Sequence, residues 1–200
     1  LNFWLVCDTV ILSNNRIDIL KNESFARMSR VSSLFVEKND LTLIESDTFK
    51  HLSSLETLSL NFNKIKRLDA GIFSSLSKLN FLYLKENSLE IINFKSLLGL
   101  KNLRQIAYSN NKISQIEDFS FNFTQKLTSL DLTSINLVEL NSHSFRGLIS
   151  LQFLYLNTNN LRHIKNNTFI DLVSLRNLFL NSNKLEKIDI YGLSGLQSLT

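Results

Sequence analysis

Apolar residues recur along this chain in a pattern that repeats every 24 residues: Leu55, Leu79, Leu103, Leu127, Leu151 and Leu175 stand at constant spacing, and Val31 and Cys7 extend the series backward. Counting positions from each of these, the fourth and sixth are apolar throughout, as in Leu58/Leu60, Leu82/Leu84 and Leu154/Leu156. Alternation with a period of two predicts a short strand with one buried face. A lone strand cannot pair its backbone groups, so the copies are expected to form a parallel sheet, with positions three, five and seven facing solvent. The ninth position is Asn in seven of eight copies (Asn15, Asn39, Asn63, Asn87, Asn111, Asn159 and Asn183), and Ile135 is the exception. An amide that both donates and accepts, placed in an inward-tucked turn, can bond its own coil and the next, giving a ladder. Ile135 predicts a locally altered turn with one fewer ladder bond, which Asn136 could supply only from a shifted turn.

The eleventh and fourteenth positions are again apolar, as in Ile65/Leu68 and Leu161/Ile164. The nineteenth is Phe in six copies (Phe25, Phe49, Phe73, Phe121, Phe145 and Phe169), and the twenty-second is Leu in most, with Met28 and Thr124 as departures. The three-residue step from nineteen to twenty-two suits a helical or 3₁₀ turn that closes each coil at the back and stacks the Phe rings. A fixed period of this length means a solenoid of one stacked unit.

On these residues the chain resembles the leucine-rich repeat superfamily, in its 24-residue variety with a late Phe, over Cys7 to Ser198. The resemblance implies an α/β leucine-rich-repeat solenoid: a curved horseshoe with a parallel β-sheet on the concave face and short helical or 3₁₀ turns and loops on the convex face. Many relatives carry Pro just after the fourteenth position; this chain has no Pro. The domain reading is residues 1–6 as the remnant of an N-terminal cap or earlier repeat, 7–198 as eight repeats, and 199–200 as the start of a truncated ninth. Terminal repeats need polar covers, so the chain reads as a fragment of a larger protein. Cys7, the single cysteine, occupies the register of the opening Leu, which favours a small buried residue. The resemblance also allows half of a cap disulfide with an upstream partner.

The outward strand positions are where specificity is expected. Phe35, Phe81, Tyr83, Phe153, Tyr155 and Phe179 stand there, and large rings with few rotamers suit a binding surface. The alternative is that they fill the concave curvature as β-favouring residues. The copies starting at Leu103 and Leu127 carry small polar residues between the aromatic ones.

Charge adds little. The net charge is +4, with the excess at the loop edge after the strands, where Lys64, Lys66 and Arg67 form the densest patch. Acids interrupt that edge, so a nucleic-acid partner is not expected. His51, His143 and His163 lie in different copies without a recurring partner, one Cys excludes a Cys-rich zinc site, and no phosphate loop or nucleophile motif occurs. No enzyme, metal site or cofactor is expected. Sequons at Asn22, Asn122 and Asn166 fall at positions sixteen or twenty, off the strand face, and are candidate glycosylation sites.

Together with the resemblance, these readings imply a protein-binding piece of the ectodomain of a receptor or adhesion protein, extracellular or at the cell surface. The expected partner is a protein ligand or co-receptor, and membrane attachment would come only through regions outside this chain. Two alternatives stay open: an intracellular, cytoplasmic scaffold or adaptor, and a regulatory module joined to an enzymatic or signalling domain.

Overall fold

Burying the fourth and sixth positions of every copy leaves each strand only three residues long, too short to hold without its neighbours. The computed structural model describes residues 8–200; Cys7 and the proposed 1–6 remnant lie outside them. The strands in chain order are β1 (Thr9–Ile11), β2 (Ile19–Leu20), β3 (Ser33–Phe35), β4 (Leu43–Ile44), β5 (Thr57–Ser59), β6 (Phe81–Tyr83), β7 (Ile91–Ile92), β8 (Gln105–Ala107), β9 (Gln115–Ile116), β10 (Ser129–Asp131), β11 (Phe153–Tyr155), β12 (His163–Ile164), β13 (Asn177–Phe179) and β14 (Lys187–Ile188). One eight-stranded parallel sheet runs in the order β1-β3-β5-β6-β8-β10-β11-β13. Its register advances by one period, Leu34 against Leu58 against Leu82 against Ile106. Leu58, Leu82 and Leu154 are fully buried, as the alternation requires.

A second set of two-residue strands follows the turn, pairing β2 with β4, β7 with β9 and β12 with β14. Sequence reading did not anticipate them: positions thirteen and fourteen offer no run long enough to signal a strand.

The back of each coil takes the simpler of the two expected forms, an isolated turn. Among the described residues there is no helix of any kind. The step from nineteen to twenty-two is instead a single hydrogen-bonded turn, with the N–H of Met28, Leu52, Leu76, Leu100, Thr124, Leu148, Leu172 and Leu196 donating to the carbonyl three residues before. The next such bond begins three residues further on, as from Leu55 to Leu52. A 3₁₀ helix needs consecutive bonds, and these are spaced. The Phe spine forms as expected in two runs: Phe25–Phe49–Phe73 at centroid separations of 6.2 and 5.9 Å, and Phe121–Phe145–Phe169 at 6.4 and 5.9 Å. Leu97 separates them. Coils also pack closely here: a Cβ on Gly99, which has φ +92°, would lie 2.6 Å from the Ser74 carbonyl oxygen, so only glycine fits.

The Asn ladder forms, but toward the preceding coil rather than the next. Asn63 shows the pattern. Its Nδ2 donates to Val36 O of the coil before (2.9 Å) and to Leu60 O of its own coil (3.1 Å), while its Oδ1 accepts from Leu41 N (3.0 Å). Asn39, Asn87, Asn111, Asn159 and Asn183 repeat it. At Ile135 the turn is altered as expected: Asn136 alone among the tenth positions takes a left-handed φ, +68°. More than one bond goes with it. The apolar side chain neither donates to Tyr108 O and Leu132 O nor accepts from Ile113 N, and exposed Asn136 does not replace it. Partial compensation comes from the next coil, where Asn159 Oδ1 accepts from both Ile135 N (3.1 Å) and Leu137 N (3.0 Å). Beside this break lies Tyr108, fully enclosed with its hydroxyl unpartnered, and burial pushes that hydroxyl's pKa well above the ordinary phenol value.

The last coil is tied by Asp189. Its carboxylate accepts from His163 Nε2 (2.8 Å), Lys187 Nζ (2.9 Å) and Asn166 N (3.2 Å). The bond from His163, then that from Lys187, lowers its pKa from 3.8 to about 2. A carboxyl depressed on folding stabilises the native state above its unfolded value and loses that contribution as pH falls through its folded value. Asp189→Asn should therefore lower the melting temperature at pH 5, and the gap to the parent chain should close between pH 4 and pH 2. A gap that persists unchanged at pH 2 would contradict the assignment.

Candidate functional site

In-register stacking brings one residue per strand into rows across the concave sheet. The row at position five reads Phe35, Ser59, Tyr83, Ala107, Asp131, Tyr155, Phe179. Two aromatic groups thus flank two strands whose residues are small or acidic. Tyr83 stands on one side. On the other, Tyr155 lies parallel to Phe179, ring centroids 4.8 Å apart at an interplanar angle of 2°. Three strand spacings, roughly 14 Å, separate the two walls. Between them is a cleft of about 330 Å³ lined by Tyr83, Lys85, Gln105, Ala107, Asp131 and Tyr155, among others.

The floor explains itself from sequence upward. Ala107 has no side chain beyond Cβ, so Lys85, two residues past the end of β6, reaches over to Asp131 on β10, Nζ to Oδ2 at 3.0 Å. Burial in the cleft raises the Asp131 pKa; bonds from the Thr133 N–H and hydroxyl and from Lys85 outweigh that and leave it below the ordinary carboxylate value. The ion pair is thereby held in place within a partly dry trough, while Gln105 remains exposed at its rim.

Of the six candidate residues, Tyr83 and Tyr155 line this cleft, Phe179 backs Tyr155, and Phe81 and Phe153 occupy the neighbouring row at the same two strands. Phe35 does not join them: Ser59 and its strand intervene, and its neighbour on the other side is the 70% exposed Ile11. Not every outward position meets solvent either. Ser59, Ala107 and Ser109 are buried, because small side chains are overshadowed by larger neighbours on a concave surface. Sequence reading missed Lys85 and Asp131 as a pair. Their spacing of two copies carries no local signal; only the small residue at Ala107 hints that a reach across is open.

Half of the eight loop-edge cations are paired: Lys64 with Asp40 (2.7 Å), Arg67 with Asp69 (3.2 Å), Arg162 with Glu186 (3.2 Å) and Lys187 with Asp189 (2.9 Å). Such exposed pairs contribute little to stability and dilute the patch at Lys64, Lys66 and Arg67. Each histidine pairs with a carboxylate of an adjacent coil, at no recurring spacing: His51 with Glu23, His143 with Asp118 and His163 with Asp189. Among the described residues no group of three or more His, Cys, Asp or Glu is placed to hold a metal ion, and no helix is long and apolar enough to cross a membrane.

Comparison with known proteins agrees with the fold. The sequence model of the family described as leucine rich repeat matches residues 8–65, 53–113, 106–161 and 125–185. No curated protein matches the chain. Among solved structures, the complex of TLR13 with ssRNA13 is similar at 24% identity and TM-score 0.61, over 91% of this chain and 30% of that one. The complex of Toll with Spatzle from Drosophila is similar at 22% identity and TM-score 0.70, over 92% of this chain and 28% of that one. This chain therefore spans less than a third of either receptor chain, and at these identities the shared property is the fold. A family match that runs from residue 8 to residue 185 shows that the chain belongs to the leucine-rich repeat family.

Proposed function

We propose that this chain is a protein-binding segment of a receptor or adhesion ectodomain, and that its ligand docks in the concave trough between Tyr83 and the Tyr155–Phe179 stack. The observation that carries the reading is the trough itself: paired aromatic walls over a floor with a preset ion pair. Large rigid rings offer contact area with little rotamer entropy to lose, and a stacked sheet leaves no ordering cost for the backbone at the moment of binding. Two solved structures of this fold are complexes, one of TLR13 with ssRNA13 and one of Toll with Spatzle. The acids that pair with half of the loop-edge cations favour protein over nucleic acid for this chain; because the TLR13 complex holds ssRNA, the nucleic-acid arm belongs in the test. An extracellular setting is part of the proposal, supported by sequons confined to the convex side.

Ala107→Trp would fill the trough and displace the Lys85–Asp131 bridge. Against an array of purified secreted proteins and single-stranded RNA oligonucleotides, a true ligand should lose at least about tenfold in affinity with this variant, as expected for a blocked interface centre. Gln125→Arg, on the exposed back, should leave it unchanged. Ligands that bind both variants equally, or RNA binding unaffected by Ala107→Trp, would remove the trough as the site.

A further inference from the structure

One aromatic cluster lies on the side the trough does not use. Phe94, Asp118, Phe119, Asn122 and Phe123 line a cleft of about 250 Å³ on the convex face. Phe94 and Phe119 are 40% and 47% exposed. Phe119 also stands at φ +62°, the left-handed conformation that position seventeen takes at Glu23, Gly71 and Asn167 in other copies. A bulky residue in that conformation is strained. Core burial does not offset this, since the ring is nearly half exposed, with the His143 ring tilted against it at 5.2 Å. Asn122 sits in the same cleft, exposed, and opens the sequon Asn122-Phe123-Thr124.

The three sequons differ in how the fold uses them. Asn22 Oδ1 accepts from Asp47 N (3.1 Å) and Asn166 Oδ1 from Tyr191 N (3.0 Å), so both amides belong to bonds between coils. The Asn122 carboxamide makes no such bond and packs instead beside Gly147, where a Cβ would come within 3.3 Å of its Oδ1. Its setting is apolar ring surface. The one occupant that would cover these rings and is also tied to this place is a sugar attached to Asn122 itself. Pyranose rings present C–H faces that stack on aromatic rings, and their hydroxyl edges remain in water, as amphipathic contacts at such surfaces require.

We propose that Asn122 carries an N-linked glycan whose first sugar packs on Phe94, Phe119 and Phe123 and closes this cleft. The attachment rests on the secretory setting proposed above. In it the Nδ2 nitrogen bonds to the anomeric carbon of an amino sugar carried on a lipid pyrophosphate. The bond from that carbon to the pyrophosphate oxygen breaks, the pyrophosphate leaves with the electron pair, and one amide proton goes to solvent. The glycan leaves the trough free, because the two lie on opposite faces of the coils.

The test uses the whole chain secreted from a eukaryotic host. Peptide mass mapping should find Asn122 glycosylated. An amidase that releases N-glycans, converting Asn to Asp, should act on Asn122 at least tenfold more slowly in the folded protein than after denaturation. In the Phe94→Ala/Phe119→Ala variant, with its fold checked by melting temperature, native release should accelerate at least tenfold. An unmodified Asn122 overturns the proposal, and so does a glycan released equally fast with and without the two rings. Neither result bears on ligand binding in the trough, so failure here and failure of the trough reading are told apart.

Discussion

Replacing Asn159 by alanine should cost the folded chain about 3–5 kcal/mol, at the upper end of what losing a single polar side chain does. Its Nδ2 donates to Leu132 O (2.8 Å), Leu156 O (3.0 Å) and Asn157 O (3.4 Å), and its Oδ1 accepts from Ile135 N and Leu137 N. Among the described residues no other ladder Asn accepts two N–H groups. It does so because the coil before it has Ile135 where a ladder amide would stand, so one side chain serves two turns. Removing it strands buried backbone donors and acceptors at the weakest point of the stack, each at the cost of a desolvated, unpaired group. Asn15→Ala is the comparison. Asn15 is exposed and, among the described residues, bonds Leu12 O and Ser13 O of its own coil, so its loss should cost less than about 1 kcal/mol. Urea unfolding of both variants measures the difference through the midpoint. Equal small shifts would show that the ladder is not what holds the turns.

Tyr83→Ala combined with Tyr155→Ala should weaken ligand binding about 100-fold or more, since central aromatic anchors each carry on the order of 2 kcal/mol or above. The melting temperature should change little. Both side chains stand on the outward face of their strands, whereas the fold rests on Leu82 and Leu154, which are fully buried. Phe35→Ala supplies the internal control. It is the same kind of residue at the same repeat position, but Ser59 and its strand part it from Tyr83. Retained affinity in the double variant, or an equal loss in Phe35→Ala, would sink the trough as the site. Calorimetry or surface plasmon resonance with a ligand found by the array reads the affinity, and thermal unfolding reads the fold.

The repeat made most of the architecture legible before any coordinates. Period two at Leu82 and Leu84 gives a strand, Asn87 a tucked turn, and Phe73 or Phe121 the back of the core. Each position answers to a local demand, and the same demand recurs every 24 residues. The convex turns were less legible. Spaced three-residue bonds and consecutive ones share the same apolar step, so a helical turn and the isolated turns observed look alike in sequence. The direction of the ladder was also hidden, because an amide at position nine satisfies either neighbour equally well on paper.

The candidate site divides along the same line. Aromatic residues at outward positions could be read off, as could the run of small residues between them. That Tyr83 and Tyr155 share one cleft, that Phe35 stands apart, and that Lys85 bridges to Asp131 over Ala107 all depend on what lies two or three coils away. The amino-acid order by itself determined the coil, its buried face and the stacking of identical units, because those follow from hydrophobic burial within one period. Only the tertiary structure decided which side chains meet across coils and which rings stay exposed. Contacts between copies are set by sheet register and curvature, which no single 24-residue segment contains.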